Sequence, residues 1–417
     1  MLKLLAPLAL ACAVPAAAQT AEPIDRVWAG HDAAFALVVT DARIYVGYYD
    51  AERRLTIASR PRKSSRWRYA RLPTRVGWDA HNRIAMALDA QGRLHVAANM
   101  HNDPLVYFRT RTPNDLGSFT RVAVMVDRAA ERSMTYPEFL KGADGRLIFK
   151  YRDGGSGRGR EIYNVLDGSE WKRLLDAPLA DGEGKRSAYF VGPVVGPDGW
   201  FHLTWVWRDT PDAATNHDLS YARSRDLVHW QRSDGTPLAL PIRLGDAEIV
   251  DPVAVGDGMI NNNTVPGFDA AGRVVIAFHK FDGAGNTQVF LARREVTGWR
   301  IVPASDWKHF RWEFGGNGSL DFRLRLGTPK VEGDLLVLPV VRDGKPIDLL
   351  LDAATLARKG ERPGRRLGEI AVPPGMQRNT VEDASGIALA WPSLPPNRDV
   401  PRDQVPEPQV LRLIVPD

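Results

Sequence analysis

The chain of 417 residues is 44% hydrophobic and 25% charged, which is enough to build a full hydrophobic core beneath a polar surface. Its formal net charge is +5, yet it has no run of lysine or arginine and no basic helical pattern, so we expect no nucleic-acid partner. A dispersed positive charge would instead suit an acidic polymer.

The N-terminus has the pattern of a secretion signal. A short basic region at Lys3 is followed by an apolar run up to Val14 and by the small residues Ala16-Ala17-Ala18. This predicts a signal peptide over residues 1–18, cleaved after Ala18, and therefore a secreted or periplasmic protein. The apolar run is too short to span a bilayer, and no later stretch reaches the roughly 20 residues needed, so no membrane span is expected.

The single cysteine, Cys12, lies inside this predicted signal. Residues 9–12 loosely resemble a lipoprotein cleavage box, but Ala9 stands where leucine is usual, and we therefore prefer cleavage after Ala18 to lipidation. The mature chain would then have no disulfide and no thiolate metal site.

One pattern recurs along the rest of the chain: a turn that ends in glycine, followed by a strand of alternating residues. Its copies occupy residues 92–96, 145–149, 199–203, 272–276, 333–337 and 386–390, with an earlier copy that lacks the glycine at residues 42–46. Each copy has one strand-like segment before it and another after it, so the glycine turn belongs to a meander of about four strands. Seven meanders of roughly 50 residues predict an all-β, seven-bladed β-propeller, built as a single domain over residues 19–417.

The meander also predicts which loops share a face of the propeller. If the glycine turn joins the first two strands of a blade, the loop before the first strand and the loop after the second lie together on the opposite face. The glycine turns hold ordinary hairpin residues, whereas the opposite loops are rich in histidine, tyrosine, arginine and asparagine. The candidate site residues there are His81, Asn82, His101, Asn102, Tyr151, Arg152, Tyr189, Trp207, Arg208, His217, His279 and Lys280. Because function concentrates on such loops, we expect the site at this face.

Two of these candidates, His81 and His101, come from adjacent corners of one blade and are expected to approach each other. Histidine titrates near neutral pH and suits proton transfer, although an isolated histidine is also a common hydrogen-bonding turn residue. His95 and His202 fall in the middle of strands, and we interpret both as structural.

Other candidates have plain structural interpretations as well. Tyr151 could pack at a blade edge, and Arg152 and Arg208 each precede an aspartate with which a local ion pair could form. His217 could order its loop or bind an ion. These alternatives stay open at the level of the sequence.

At these residues the chain resembles the BNR-repeat polysaccharide lyases, which include propeller-type ulvan lyases and the L-rhamnose-α-1,4-D-glucuronate lyases. The resemblance rests on residues 78–82, 99–105, 151–154, 205–210 and 215–221, and its most specific feature is the spacing of the two histidines. It covers blades two to four well and the remainder only as generic repeats. Residues 224–230 resemble the Asp-box turn of sialidase-type propellers, which is a structural turn.

The resemblance implies β-elimination at an α-L-rhamnosyl-(1→4)-glucuronate linkage, in an acidic glycan that contains glucuronate and rhamnose. A base takes the C5 proton, an acid protonates the oxygen that leaves C4, and donors stabilise the carboxylate as it becomes enolate-like. By resemblance, His81 and Tyr151 form the acid/base pair and His101 completes the histidine constellation. Arg208 is the candidate for the carboxylate. The expected substrate-binding residues are Asn82, Asn102, Arg152, Tyr189, Trp207, His217, His279 and Lys280.

The chain departs from the family pattern at one point. An essential arginine is expected shortly after the tyrosine, near the third strand of that blade, but residues 162–166 contain none. Arg208, Arg152 or Arg160 would then bind the carboxylate, or the substrate differs. The chemistry requires no cofactor, the resemblance implies a structural calcium ion in the propeller channel, and no motif has a diagnostic metal spacing. We expect a monomer.

Three other functions compete with that of a lyase. A sialidase-like hydrolase is disfavoured because the typical Arg-Ile-Pro start is missing and rim glutamates are few. A glycosidase needs two carboxylates across a cleft, and the available aspartates have the pattern of turn residues: Asp79, Asp103, Asp209 and Asp218. A glycan-binding propeller would repeat its binding residues in every blade, whereas the polar cluster here is concentrated in blades two to five. Between gum arabic-type glycans and ulvan the sequence does not choose, and the single domain slightly favours terminal over internal cleavage.

Overall fold

The computed structural model describes residues 19–365 and 370–416, which form seven antiparallel sheets around one axis. The prediction of an all-β, seven-bladed propeller is confirmed. Two short 3-10 helices, Leu116–Ser118 and Ala213–Thr215, are the helical elements of the described residues. In the same part of the chain, no helix is long and apolar enough to cross a membrane. The predicted signal peptide, with Cys12 and the cleavage point after Ala18, lies outside the described residues.

The N-terminal strand β1 (Gln19–Val27) belongs to the last blade. The first blade consists of β2 (Ala36–Val39), β3 (Arg43–Tyr49), β4 (Arg54–Pro61) and β5 (Arg68–Arg75). The second begins with β6 (Ile84–Leu88) and β7 (Leu94–Ala98), and the short strand β8 (His101–Asp103) then joins the third blade. The second blade ends with β9 (Tyr107–Thr110) and β10 (Phe119–Arg121). The third consists of β11 (Met134–Lys141), β12 (Leu147–Asp153), β13 (Arg160–Asp167) and β14 (Glu170–Arg173).

The other four blades follow in the same manner. The fourth consists of β15 (Ser187–Val195), β16 (Phe201–Arg208), β17 (Asn216–Ser224), β18 (Trp230–Gln231), β19 (Pro237–Leu238) and β20 (Glu248–Asp251). The fifth consists of β21 (Val265–Phe268), β22 (Val274–Phe281), β23 (Thr287–Glu295) and β24 (Gly298–Pro303). The sixth consists of β25 (Leu324–Leu326), β26 (Lys330–Glu332), β27 (Leu335–Arg342), β28 (Lys345–Asp352) and β29 (Arg358–Pro363). The seventh consists of β30 (Gln377–Glu382), β31 (Ala388–Ser393), β32 (Gln409–Pro416) and β1.

The two ends of the described chain close the ring. Strand β1 pairs antiparallel with β32, from Thr20 opposite Val415 to Val27 opposite Gln409. The outermost strand of the seventh blade is therefore supplied by the N-terminus. This pairing holds the first and last blades of the ring together and covers a sheet edge that would otherwise be exposed.

Hydrophobic packing between neighbouring blades forms the core. Between the second and third blades, Tyr107 packs on Trp171, and the indole N–H donates to the tyrosine hydroxyl at 3.1 Å. His95 is buried beside them, bonded to that hydroxyl at 2.6 Å and to the turn residue Asp89 at 3.0 Å. A histidine in the middle of a strand thus ties a glycine turn to the core, which is a structural role.

The strand register fixes which loops meet at each face. In the second blade Leu88 lies opposite Leu94 at the glycine turn, and Ile84 lies opposite Ala98 at the other end of the ladder. The residues just before β6 and just after β7 therefore share one face. Gly92 has a φ of 74°, which the tight turn on the opposite face requires and which glycine adopts without strain.

Candidate active site

Two histidines, one from the loop before β6 and one from β8, stack at this loop-rich face. The ring centroids of His81 and His101 lie 4.1 Å apart, with an angle of 23° between the rings. The carboxylate of Asp79 holds both rings, with 2.9 Å to His81 Nδ1 and 2.5 Å to His101 Nδ1. Each Nδ1 is thereby engaged, and no bond from a described residue reaches either Nε2. Both Nε2 atoms are therefore free to contact a ligand.

Local backbone preferences position the two rings. The Asp79 carboxylate also accepts the amide of His81 at 2.8 Å, which is an Asx turn. His101 stands between Asn99 and Asn102, whose φ values of 56° and 65° are left-handed and are tolerated better by asparagine than by most residues. Strand β8 then pairs with β11, so His101 lies at the seam of the second and third blades.

Loops from the far side of the ring complete the histidine cluster. Ser319 Oγ, in the loop before β25, lies 3.1 Å from His81 Nδ1, and Asp399 Oδ2, in the loop after β31, lies 3.4 Å from the same atom. Asp399 accepts hydrogen bonds from the Ser319 hydroxyl, the Ser319 amide at 3.1 Å and the Ala80 amide at 3.3 Å. The second, sixth and seventh blades therefore meet at this point.

A tyrosine that the sequence analysis did not single out lies beside both histidines. The Tyr136 ring is 6.4 Å from the His81 ring and 6.2 Å from the His101 ring. It stands at a register shift between β11 and β12, precedes Pro137, and has a φ of 55°. Bulges of this kind re-aim a side chain next to a functional site. Two guanidinium groups, those of Arg83 and Arg152, each lie 5.1 Å from the ring centre.

The charges around Tyr136 favour its phenolate form. Burial alone would raise the pKa of Tyr136, but His81, the two arginines and a hydrogen bond from Asn262 outweigh burial and lower it. Burial alone would likewise lower the pKa of His81, but Tyr136, Asp399 and Asp79 together raise it well above the usual value. A tyrosine poised to lose its proton thus faces a histidine that retains its own.

Arg152 connects this tyrosine to the next blade. Arg152 lies opposite Thr135 in the ladder of β11 and β12, and it is 3% exposed. The guanidinium lies 5.2 Å from the ring centre of Tyr189, and Nε donates to the Gly154 carbonyl at 3.2 Å. Its Nη1 has no hydrogen-bond partner among the described residues. A buried donor without a partner is costly, so this atom is well placed to bind an anionic ligand.

Arg208 covers the other side of Tyr189, at 5.5 Å from the ring centre. Its guanidinium donates to the carbonyls of Thr210, at 3.1 Å, and of Pro211, and to Asn261 Oδ1 at 3.3 Å. Most of its donors are therefore occupied by protein, unlike the free Nη1 of Arg152. Arg208 lies at the edge of the cluster, where it orients the tyrosine and its own loop.

Two other predicted residues, both asparagines, lie close to the histidines. Asn82 is buried and donates to the Asp79 carbonyl at 3.2 Å. Asn102 accepts a hydrogen bond from Ser133, and its amide donates to Thr135 Oγ1 at 2.7 Å. Both asparagines therefore hold the loops that carry the histidines, and His81, His101, Arg152, Tyr189 and Arg208 join them in one cluster.

The structure places Tyr151 elsewhere, in the core between the second and third blades. The side chain is 0% exposed and packs on Phe149, and its hydroxyl accepts from Arg173 at 3.4 Å. Burial raises the pKa of Tyr151 to about 12, although Arg173 opposes the shift. A phenol enclosed in this way has no contact with a polymer at the surface and holds its proton.

The remaining predicted residues are buried in the core or paired with other side chains. Trp207 is fully buried and donates to Ser220 Oγ at 3.1 Å, and His279 is 1% exposed, with its pKa lowered to about 4 by burial. Lys280 is paired with Asp251 at 2.6 Å. His217 is held by Asp218 at 2.9 Å and by Asp209 at 3.2 Å, which fits the loop-ordering alternative.

Four residues could converge on a cation: Asp79, His81, His101 and Asp399, whose ligand atoms all lie within 4.8 Å of one another. Half of these ligands are imidazoles, whereas calcium takes oxygen ligands, so the cluster does not fit calcium. The Nδ1 atoms of both histidines are moreover hydrogen-bonded to Asp79. Calcium in the propeller channel stays a prediction.

The site residues that the sequence analysis missed differ in whether a sequence pattern could have indicated them. Tyr136 stands near the start of the first strand of its blade. The expectation that residues before first strands lie at the functional face could therefore have indicated it. Asn262 lies in the asparagine-rich loop before β21, which the same expectation covers. Ser319 and Asp399 reach His81 from distant blades, and no local pattern marks them.

Comparisons with known proteins agree with this fold. A family model described as a BNR repeat-containing family member matches residues 43–307. Among solved structures, the polysaccharide lyase Uly1 superimposes with a TM-score of 0.63 at 15% identity, covering 93% of this chain and 90% of that one. A PL25 ulvan lyase superimposes with a TM-score of 0.62 at 14% identity, covering 94% of this chain and 95% of that one. At such identities the likeness establishes the shared fold. No curated protein matches the chain.

Proposed function

The chain belongs to the BNR repeat-containing family, and we propose that it is a polysaccharide lyase that cleaves an acidic polysaccharide by β-elimination at a uronate. The observation that carries this proposal is the placement of Tyr136. Its phenolate is favoured by the charges of His81 and Arg152, and both histidines beside it direct Nε2 away from Asp79. A base, a guanidinium and two imidazole Nε2 atoms are thus gathered at one point.

The first requirement of β-elimination is to stabilise the uronate carboxylate, which becomes enolate-like as C5 loses its proton. Arg152 is the best-placed cation, because its guanidinium lies beside Tyr136 and its Nη1 has no protein partner among the described residues. A protonated His81 adds a second positive charge. Fixed donors aimed at developing charge in a partly dry site are the most effective form of such stabilisation.

The second requirement is proton transfer, for which Tyr136 is proposed. In glucuronate the C5 hydrogen and the C4 oxygen lie on the same face of the ring, so one tyrosine can serve both steps. The phenolate takes the C5 proton, the C4–O bond breaks as the C4=C5 bond forms, and the phenol returns that proton to the leaving oxygen. No water is consumed. Tyr136 thus takes the role expected of Tyr151, and Arg152 takes the role expected of Arg208.

An arginine was expected shortly after the tyrosine, near the third strand of that blade, and this assignment uses one in the second strand instead. Measured from Tyr136, the next strand of the same blade provides Arg152, opposite Thr135 in the ladder. The absence of arginine from residues 162–166 matters only if Tyr151 is the tyrosine. His101, held by Asp79 through Nδ1, then presents its Nε2 to the substrate.

We also propose the finer specificity, an α-L-rhamnosyl-(1→4)-glucuronate linkage, and a monomeric secreted or periplasmic enzyme that needs no cofactor. The support for the linkage is the resemblance in residues 78–82 and 99–105, together with one similar structure. That PL25 ulvan lyase, 14% identical with a TM-score of 0.61, was solved with bound -[GlcA(1-4)Rha3S]-.

The mass and ultraviolet absorbance of the products test this proposal. Purified protein is incubated with gum arabic, ulvan and a non-uronate glycan. β-Elimination yields a conjugated, ultraviolet-absorbing uronate, and the summed product mass equals that of the substrate. Hydrolysis would instead add one water per cut and give no absorbance. Binding without turnover on any uronate polymer would contradict the lyase and indicate a glycan-binding propeller.

A further inference from the structure

A polar cavity opens beside the proposed catalytic cluster, between the third and fourth blades. It has a volume of about 480 Å³ and is lined by residues 155–158, 184–185 and 209–211. Pockets that bind small ligands commonly measure roughly 300–1,000 Å³. This cavity is therefore large enough for a sugar, and the catalytic steps proposed above leave it unused.

We propose that this cavity is a subsite for a second anionic group of the substrate, a carboxylate or a sulfate on a sugar beyond the cleaved uronate. The inference rests on the proposed function for the identity of the polymer. It adds that productive binding of a long chain uses two anionic groups, one at Arg152 and one in the cavity.

The position of the cavity follows from Tyr189. The ring of Tyr189 lies 6.3 Å from that of Tyr136, with Arg152 against both rings. At its far end, the Tyr189 hydroxyl is bonded to Ser156 Oγ at 2.5 Å, and Ser156 lines the cavity. The cavity is thus separated from the proposed catalytic tyrosine by the length of one tyrosine side chain. A polysaccharide bound at Tyr136 would extend a neighbouring sugar toward this cavity.

The charge of the cavity is positive. Arg158 and Lys185 line it and are exposed, and neither forms an ion pair with another described residue. Its one acidic lining residue, Asp209, is already neutralised by Arg186 at 2.9 Å and by His217 at 3.2 Å. Two unpaired cations facing a neutralised carboxylate favour an anionic ligand over a neutral one.

The backbone of the cavity wall adds further donors. The wall is glycine-rich, and Gly157 has a φ of 78°. A Cβ at Gly157 would stand 3.1 Å from the Asp209 carbonyl, so a side chain there would be strained and would push the two loops apart. Within residues 19–365 and 370–416, the amides of Gly155, Ser156 and Gly157 make no hydrogen bond. No acceptor among the described residues therefore competes with an anion for these N–H groups.

The test compares substrates that carry one anionic group with substrates that carry several. The double variant Arg158→Ala/Lys185→Ala is assayed beside Lys345→Ala, which removes an exposed lysine from the sixth blade. For the polymer we expect the double variant to raise KM about tenfold, as loss of charge-assisted hydrogen bonds would. For the shortest cleavable oligosaccharide with a single uronate, the KM of the double variant should stay close to the KM of the control. Equal losses on both substrates, or no loss on either, would overturn the subsite.

A binding experiment keeps this test independent of the lyase proposal. Affinity electrophoresis of both variants, each also carrying Tyr136→Phe, is run in gels containing ulvan, desulfated ulvan or carboxyl-reduced ulvan. Weaker retention of the double variant than of the control supports the subsite even if no polymer is cleaved. A deficit that disappears with desulfated ulvan assigns the anion as sulfate, and one that disappears with carboxyl-reduced ulvan assigns a uronate. Identical retention in all gels would refute the subsite.

Discussion

Replacing Asp399 with asparagine tests how the histidine cluster holds its charge. The Asp399 carboxylate is 20% exposed and lies 3.4 Å from His81 Nδ1. Burial lowers the pKa of His81, and Tyr136, Asp399 and Asp79 together raise it well above its usual value. Removing the Asp399 carboxylate should therefore lower the pKa of His81.

The size of the effect follows from the contact. A hydrogen bond to a charged group contributes roughly 1.5–3 kcal/mol, and one pKa unit corresponds to about 1.4 kcal/mol. Because the Asp399 carboxylate is partly exposed and its contact with His81 is long, we take the lower end, a fall of about one pKa unit. A raised histidine pKa means that the positive charge persists as pH rises, so the variant loses that charge about one pH unit earlier.

The assay is the pH dependence of kcat/KM on the uronate polymer. The alkaline limb of Asp399→Asn should lie about one unit below that of the wild type, and the stability gained from the charged His81 should be lost at correspondingly lower pH. The asparagine oxygen can still accept from Ser319. The control Asp343→Asn removes an exposed carboxylate that pairs with Arg323 at 2.7 Å and should leave the profile unchanged. Superimposable profiles for Asp399→Asn and wild type would refute the reasoning.

Three further predictions concern stability and metal dependence. Tyr151→Phe should lower the free energy of unfolding, measured by urea titration, by only about 1 kcal/mol, because it removes one long contact with Arg173. Its rate should stay close to that of the wild type, and a tenfold loss of rate would contradict this. Leu413→Ala, at a fully buried position of β32, should cost about 2–5 kcal/mol by leaving a cavity in the blade that closes the ring, and a loss far smaller than this would count against that closure. Dialysis against a chelator should leave the rate unchanged, whereas a loss restored by calcium would place a required metal in the enzyme.

The fold could be predicted from the sequence because its signal is local and repeated. Each glycine turn and its flanking strands lie within a few residues of one another, so seven copies can be counted without knowing any long-range contact. The pairing of β1 with β32 is different. It joins the two ends of the described chain, and no repeat marks it in the sequence.

The candidate site was predictable only in part, for related reasons. His81 precedes and His101 follows the first two strands of the second blade, so the meander alone predicted their meeting, but not the pairing of His101 with the third blade. Tyr151 and Arg152 are both buried residues of β12, yet Tyr151 packs in the core against Phe149 while Arg152 lies against Tyr136, so burial along the strand did not show which of the two belongs to the site. A bulge brings Tyr136 to the histidines, and Asp399 comes from the seventh blade, which packs beside His81 when the ring closes. The alternation of residues along a strand indicates neither contact.

The most direct test of the proposed chemistry is a comparison of the two tyrosines. Initial rates of unsaturated uronate formation are measured for wild type, Tyr136→Phe and Tyr151→Phe on the polymer that the wild type cleaves. We predict that Tyr136→Phe loses roughly two to four orders of magnitude in kcat, the usual contribution of a general acid–base group, while Tyr151→Phe stays within a few-fold of wild type. A near-normal rate for Tyr136→Phe, or a comparable loss in Tyr151→Phe at unchanged stability, would contradict the assignment.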